Sequence, residues 1–188
     1  MIFIIIEEEL KYSFLLLELM AEKVGLPREV FVNELKSDEL NNRILELRRV
    51  NVIHEGRGER TLQMYCCFYL LTNLFFSKKS NWSFRPLIVE ERANDVDSEI
   101  GDIMLISDLP HREVDVWVEI KNYFGNDKLT ESMRAALTKD FNKCMKAITN
   151  GAIGVVMFTF DDKILGEKLI SDISTQFPQV ELVVIGSD

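Results

Sequence analysis

Histidine is scarce in this sequence: His54 and His111 are the two in 188 residues, too few for a zinc cluster. Cysteine is little commoner, with Cys66, Cys67 and Cys144. An odd count, with two neighbours and no Cys-x-x-Cys spacing, argues against a disulfide framework or a structural zinc and suits buried thiols. No apolar run approaches the roughly 18 residues of a membrane span. The apolar opening 1–6 lacks a basic flank and runs into Glu7, Glu8 and Glu9, the wrong context for a signal peptide. A cytoplasmic or intracellular protein, not bound to a membrane, is expected. A phosphate-cradling Gly-x-x-x-x-Gly-Lys loop, a Gly-x-Gly-x-x-Gly turn after a strand and a Ser/His/Asp nucleophile motif are all missing, so nucleotide-cofactor chemistry and serine-type catalysis find no support. There is no internal repeat, low-complexity tract or obvious linker.

What is present is an ordinary globular composition, 47% hydrophobic and 28% charged. The formal net charge is -9, with a pI near 4.9. That balance argues against indiscriminate adhesion to nucleic acid, but leaves room for a local basic face or a cation-bridged site. The length suits one domain with an N-terminal extension, read here as a helical extension over 1–57 and a domain over 58–188.

Residues 7–24 read as an amphipathic helix ended by Gly25 and Pro27, and 27–50 as one or two shorter helices with Ser37-Asp38 capping the second. From Glu59 to about Ser77 the pattern is a strongly apolar helix. Strand-like runs follow at 84–91, 102–107 and 113–121, separated by Asp-, Asn- and Pro-rich loops. A long helix over 129–149 ends at Gly151. The continuous apolar run 152–160 reads as a central strand covered on both faces. A helix over 162–176 and a strand over 180–185 complete the chain. The order is helices, then αβββαβ, then αβ, a mixed α/β sheet flanked by helices.

Within 113–121, alternation groups Val114, Val116, Val118 and Ile120 on one face, and Asp115, Trp117, Glu119 and Lys121 on the other. Charged neighbours on one face of a strand commonly serve solubility. Here, however, an antiparallel hairpin of 102–107 with 113–121 brings Asp102 beside Glu119 and Lys121. Two close carboxylates repel unless a cation lies between them. Hard oxygen donors suit magnesium or manganese, and a nearby lysine orients water or offsets phosphate charge. These are the ingredients of metal-assisted phosphodiester hydrolysis.

Gly101-Asp102-Ile103, followed seventeen positions after Asp102 by Glu119-Ile120-Lys121, resembles the PD-(D/E)XK nuclease superfamily, whose αβββαβ core matches the order read from about 58 to 160. The resemblance implies a restriction-endonuclease-like fold. It also implies catalysis by Asp102, Glu119 and Lys121, with Mg2+ (or Mn2+) held by Asp102, Glu119 and the Ile120 carbonyl. Gly101 stands where proline is usual. The stretch Gly56-Arg57-Gly58-Glu59-Arg60 is similar to the opening of archaeal Holliday-junction resolvases, which implies that Glu59 helps ligate metal. An acid there equally suits the helix dipole. On the helix 129–149, Arg134, Lys139, Lys143 and Lys146, with Lys128 just before it, are candidate phosphate contacts. Lys139 and Lys143, one turn apart, are the pair chosen, although lysines near a helix C-terminus also suit its dipole. The acids Glu90, Glu91, Asp95, Asp97 and Glu99 read mostly as a solvated hairpin, with an extra metal ligand among them as the alternative.

The expectation is a magnesium-dependent deoxyribonuclease, an endonuclease of restriction, repair, recombination or mobile-element processing. DNA is its expected partner, and by resemblance it forms a homodimer. The rivals are a catalytically inactive nuclease-fold module that binds nucleic acid or protein, and a generic α/β interaction domain with a charged edge strand.

Overall fold

The computed structural model describes residues 28–54, 58–75, 101–108 and 113–188. The helix expected at 7–24, the strand at 84–91, the acids between 85 and 99, and His111 lie outside the described residues. What is described is a mixed α/β architecture, with a four-stranded sheet between two groups of helices.

Two short helices come first among the described residues, α1 (Arg28–Leu35) and α2 (Asp38–Arg49). They part at Ser37, whose hydroxyl accepts the Leu40 amide 3.2 Å away, the cap expected from the sequence. Asp38 and Glu39 open α2, and Arg48 and Arg49 close it, an arrangement that complements the helix dipole. Next is α3 (Glu59–Leu70), continued by a π-helical turn over Leu71–Phe75.

The strands are β1 (Ile103–Asp108), β2 (Glu113–Asn122), β3 (Ile153–Asp162) and β4 (Glu181–Ser187), in spatial order β1-β2-β3-β4. β1 and β2 are antiparallel, while β2, β3 and β4 run parallel. Between them stand α4 (Glu131–Thr149), capped by Thr130, and α5 (Lys163–Ser174), capped by the Asp162 carboxylate. In β3, residues 155–160 are all at most 1% exposed, as a central strand covered on both faces requires.

One face of the sheet meets α1, α2 and α3. Phe31, Leu35, Leu40, Ile44 and Leu62 pack there with Val118, Ile120, Met157 and Ile185. Residues 28–54 therefore share one core with the sheet. Two hydrogen bonds fasten them further: the Arg28 guanidinium to the Gly151 carbonyl at 2.6 Å, and the Gly186 amide to Asn41 Oδ1 at 3.0 Å. The other face meets α4 and α5 through Leu137, Phe141, Cys144 and Ile170 against Trp117, Val156, Phe158 and Phe160. Gly154 lets α4 come close, because a Cβ there would lie 2.7 Å from Cys144 Cβ.

The alternation expected along β2 holds from Val116 onward and fails before it. The register passes from Leu105↔Val116 to Ile106↔Val114, leaving Asp115 unpaired in a bulge. An extra residue in one strand inverts the alternation beyond it. Val114 accordingly packs against the α4/α5 face, and Asp115 approaches Arg28 of α1 at 3.8 Å. Val114 and Asp115 are thus each on the face opposite to the one read from the sequence.

All three cysteines are free and buried. Burial raises the thiol pKa of each, that of Cys67 to about 12, so they are inert thiols. Among the described residues, no helix is long and apolar enough to cross a membrane.

Candidate functional site

The antiparallel register Ile103↔Val118 sets the residue before β1 beside the end of β2. Asp102 uses that position as an extra rung: its Oδ2 accepts the Ile120 amide at 2.6 Å. In an extended residue N–H and C=O project to the same side, so the Ile120 carbonyl also faces this edge.

Glu119 and Lys121 share the α4 face of β2, yet they do not pair with each other. Glu119, 1% exposed, is held by two donors: the indole N–H of Trp117 reaches Oε1 at 2.7 Å, and Lys143 Nζ lies 3.3 Å from Oε1 and 3.1 Å from Oε2. Lys121 Nζ lies 3.0 Å from Glu59 Oε1 and 3.6 Å from Asp140 Oδ2.

Glu59 opens α3, and hydrogen bonds tie His54, a few residues earlier in the chain, to the same end of the sheet. Thr159 Oγ1 donates to Asn122 Oδ1 at 2.7 Å, and Asn122 Nδ2 donates to the His54 carbonyl at 2.9 Å. The buried amide of Asn122, next to Lys121 in sequence, thus ties the chain just ahead of α3 to the ends of β2 and β3.

Four carboxylates and two ammonium groups therefore converge from α3, the edge of β1, β2 and α4. Burial is the main cause of the raised carboxyl pKa values. Asp102 is pushed up to about 6, against the Ile120 amide and Lys121, with Glu59 and Asp140 adding to the rise. Glu119 is pushed up to about 7 by burial and by Asp102 and Asp140, against Lys143 and the indole. Asp140 is raised by burial despite both lysines. For Lys121 burial works towards neutrality, but Asp140, Glu59 and Asp102 outweigh it and raise its pKa. Lys121 is therefore an ammonium ion at neutral pH, a charge and a hydrogen-bond donor rather than a base.

Of the residues singled out in the sequence, Asp102, Glu119, Lys121, Glu59 and Lys143 meet at this site, with the Ile120 backbone at its edge. Lys139 does not join them; it is exposed on α4. Arg134 lies apart, clamped on Asp172 of α5 at 2.7 Å and on the Leu169 carbonyl at 3.1 Å. Asp140 and Trp117 were missed as site residues. Asp140 stands three positions after Leu137 and beside Phe141, within the buried stripe of α4, and is 3% exposed. A carboxylate in an apolar stripe is the signal that marks it.

The donors suit a hard divalent cation in kind: carboxylate oxygens, a backbone carbonyl, and one buried oxygen, Asp140 Oδ2, without a hydrogen-bond partner. Two of the acids have pKa values that a bound dication would relieve. As the side chains stand, lysine ammonium groups supply the positive charge, and among the described residues no three His, Cys, Asp or Glu side chains form a group able to hold a metal. A cation bridging Asp102 and Glu119 would compete with Lys143 for the Glu119 carboxylate. No family model, curated protein or solved structure matches the chain.

Proposed function

We propose that this chain is a metal-dependent nuclease that hydrolyses phosphodiester bonds of DNA on a restriction-endonuclease-like core. The observation that carries this reading is the meeting of Asp102, Glu119 and Lys121 from two antiparallel strands, with both acids pushed up towards neutrality. Carboxyls shifted by burial together with specific charged neighbours cluster at functional sites. Asp102, Glu119 and the Ile120 carbonyl would hold Mg2+ or Mn2+. The ion would supply charge stabilisation at the scissile phosphate and acidify the attacking water.

The remaining roles belong to the chain. Lys121, kept charged by Asp140 and Glu59, orients the water and offsets phosphate charge. Lys143, once a cation takes its place on Glu119, is an ammonium free to meet the substrate. Action as a homodimer, one active site per strand, belongs to the same reading.

A second reading has its own support. With Lys143 on Glu119 and Lys121 on Glu59, two of the four acids have a lysine partner without a metal, as in an inactive module that binds nucleic acid or protein. Supercoiled plasmid, linear duplex and branched DNA incubated with Mg2+, Mn2+ or EDTA separate the two. The nuclease reading expects cation-dependent cleavage that Asp102→Ala, Glu119→Ala and Lys121→Ala each abolish. Cleavage untouched by all three would sink the site assignment. No cleavage, together with no cation binding by calorimetry, would favour the binding module.

A further inference from the structure

We propose that Trp117 is a positioning residue for Glu119, and that glycine at position 101 exists to make room for its indole. The inference rests on the reading of Asp102 and Glu119 as cation ligands. Trp117 and Glu119 are two apart on one strand, so their side chains stand on the same face. The indole N–H donates to Glu119 Oε1 at 2.7 Å. The ring is itself fixed, 8% exposed and packed in the α4/α5 core.

Gly101 lies directly against that ring. A Cβ at 101 would be 3.0 Å from both Cε2 and Nε1 of the indole, and 3.2 Å from Cδ1. The chain has glycine where the donor atom of Trp117 needs the space.

The bond divides the labour of the Glu119 carboxylate. Oε1 receives the indole as well as Lys143, whereas among the described residues Oε2 is approached by Lys143 alone. When Lys143 leaves, Oε1 remains pinned and Oε2 is presented to a cation. Without the indole the carboxylate would have no fixed partner once Lys143 moved. Groups that orient a metal ligand through a hydrogen bond typically contribute about 10- to 100-fold in affinity.

The test is Mg2+ binding, measured by calorimetry at pH 8, with the Trp117 indole N–H followed by NMR. In the wild-type chain the indole resonance should shift on Mg2+ addition, with the midpoint seen by calorimetry. Trp117→Phe, which keeps an aromatic ring but no donor, should bind Mg2+ about tenfold or more weakly. Gly101→Ala, which keeps the indole and crowds it, should weaken binding in the same direction by less, and it carries the question if Trp117→Phe does not fold. Wild-type affinity in the folded variants, with Glu119→Ala unable to bind, would overturn the positioning role alone. Wild-type affinity in Glu119→Ala would overturn the cation site itself, and this inference with it.

Discussion

Two of the ion pairs made by helix α4 are of opposite character. At its first turns Arg134 grips Asp172, a carboxylate 63% exposed at the side chain, whose pKa is lowered by the Arg134 hydrogen bonds. Two turns on, Lys143 grips Glu119, 1% exposed, whose pKa rises to about 7 in spite of that partner. The first pair behaves as ion pairs in solvent do: the partner favours the charge, weakly, and water screens it. In the second, burial and neighbouring acids outweigh the lysine. The same helix thus fastens itself at one end and tolerates an electrostatic cost at the other.

The largest expected consequence is a pH dependence of stability that runs against the usual acid denaturation. Asp102 and Glu119 have folded pKa values of about 6 and 7, above their ordinary values of 3.8 and 4.5. The folded chain therefore binds these protons more tightly than the unfolded chain. Their contribution is full below about pH 4 and is lost as pH rises through 6 and 7, by about 3 kcal/mol for each group. In EDTA the melting temperature should fall between pH 5 and pH 8. Mg2+ should raise it at pH 8 and do little at pH 5, since a cation relieves only the ionised acids. An equal Mg2+ effect at both values would break the contrast between the two pairs.

Next in size is Lys143→Met. Removing one partner of a buried pair usually costs 3–5 kcal/mol. Glu119 is already close to protonation, so the loss should be about 3 kcal/mol at pH 8 and markedly less at pH 6. Adding Glu119→Gln to Lys143→Met should recover most of it. Urea denaturation of the two variants at both pH values measures the difference, and a pH-independent loss would mean that Glu119 is not the group left uncompensated.

Much of this arrangement is legible in the sequence, because it depends on local periodicity. The alternation of β2 puts Glu119 and Lys121 on one face, the hairpin brings Asp102 to them, and Ser37 announces α2. What is not legible depends on contacts between elements. The bulge at Asp115 leaves no mark in the hydrophobic pattern, since Val114 is apolar and serves either face. Asp140 needs the register of α4 on the sheet before it can be placed against Lys121. The destination of Lys143 differs from that of Lys139, a turn away, only because one side chain overhangs Glu119 and the other solvent.

Asp140→Asn probes the buried half of the comparison more gently. It removes a charge whose Oδ2 has no hydrogen bond while keeping the shape. Stability at pH 8 should change by no more than about 1 kcal/mol, in the favourable direction, because the desolvated charge is gone. On the proposed nuclease reading, cleavage should nevertheless fall, roughly tenfold, as Lys121 loses one of the two acids that hold it. A variant that loses stability and keeps full activity would assign Asp140 to the core rather than to the site.

The smallest effect belongs to the exposed pair. Arg134→Met removes the clamp on Asp172 and on the Leu169 carbonyl, yet both partners turn to water. Only a slight loss of stability is expected, shrinking further in 0.5 M salt as the Debye length drops to a few ångströms. The sign with pH is opposite to that at the buried pair. Asp172 has a lowered pKa, so its contribution is present at neutral pH and lost only as pH falls below the ordinary carboxylate range. Denaturant midpoints at pH 7, with and without salt, should show a slight, salt-sensitive destabilisation, and on the proposed nuclease reading a cleavage assay beside them should show no change in DNA hydrolysis. A large, salt-insensitive loss would instead make Arg134 part of what positions α4, and with it Asp140 and Lys143, over the sheet.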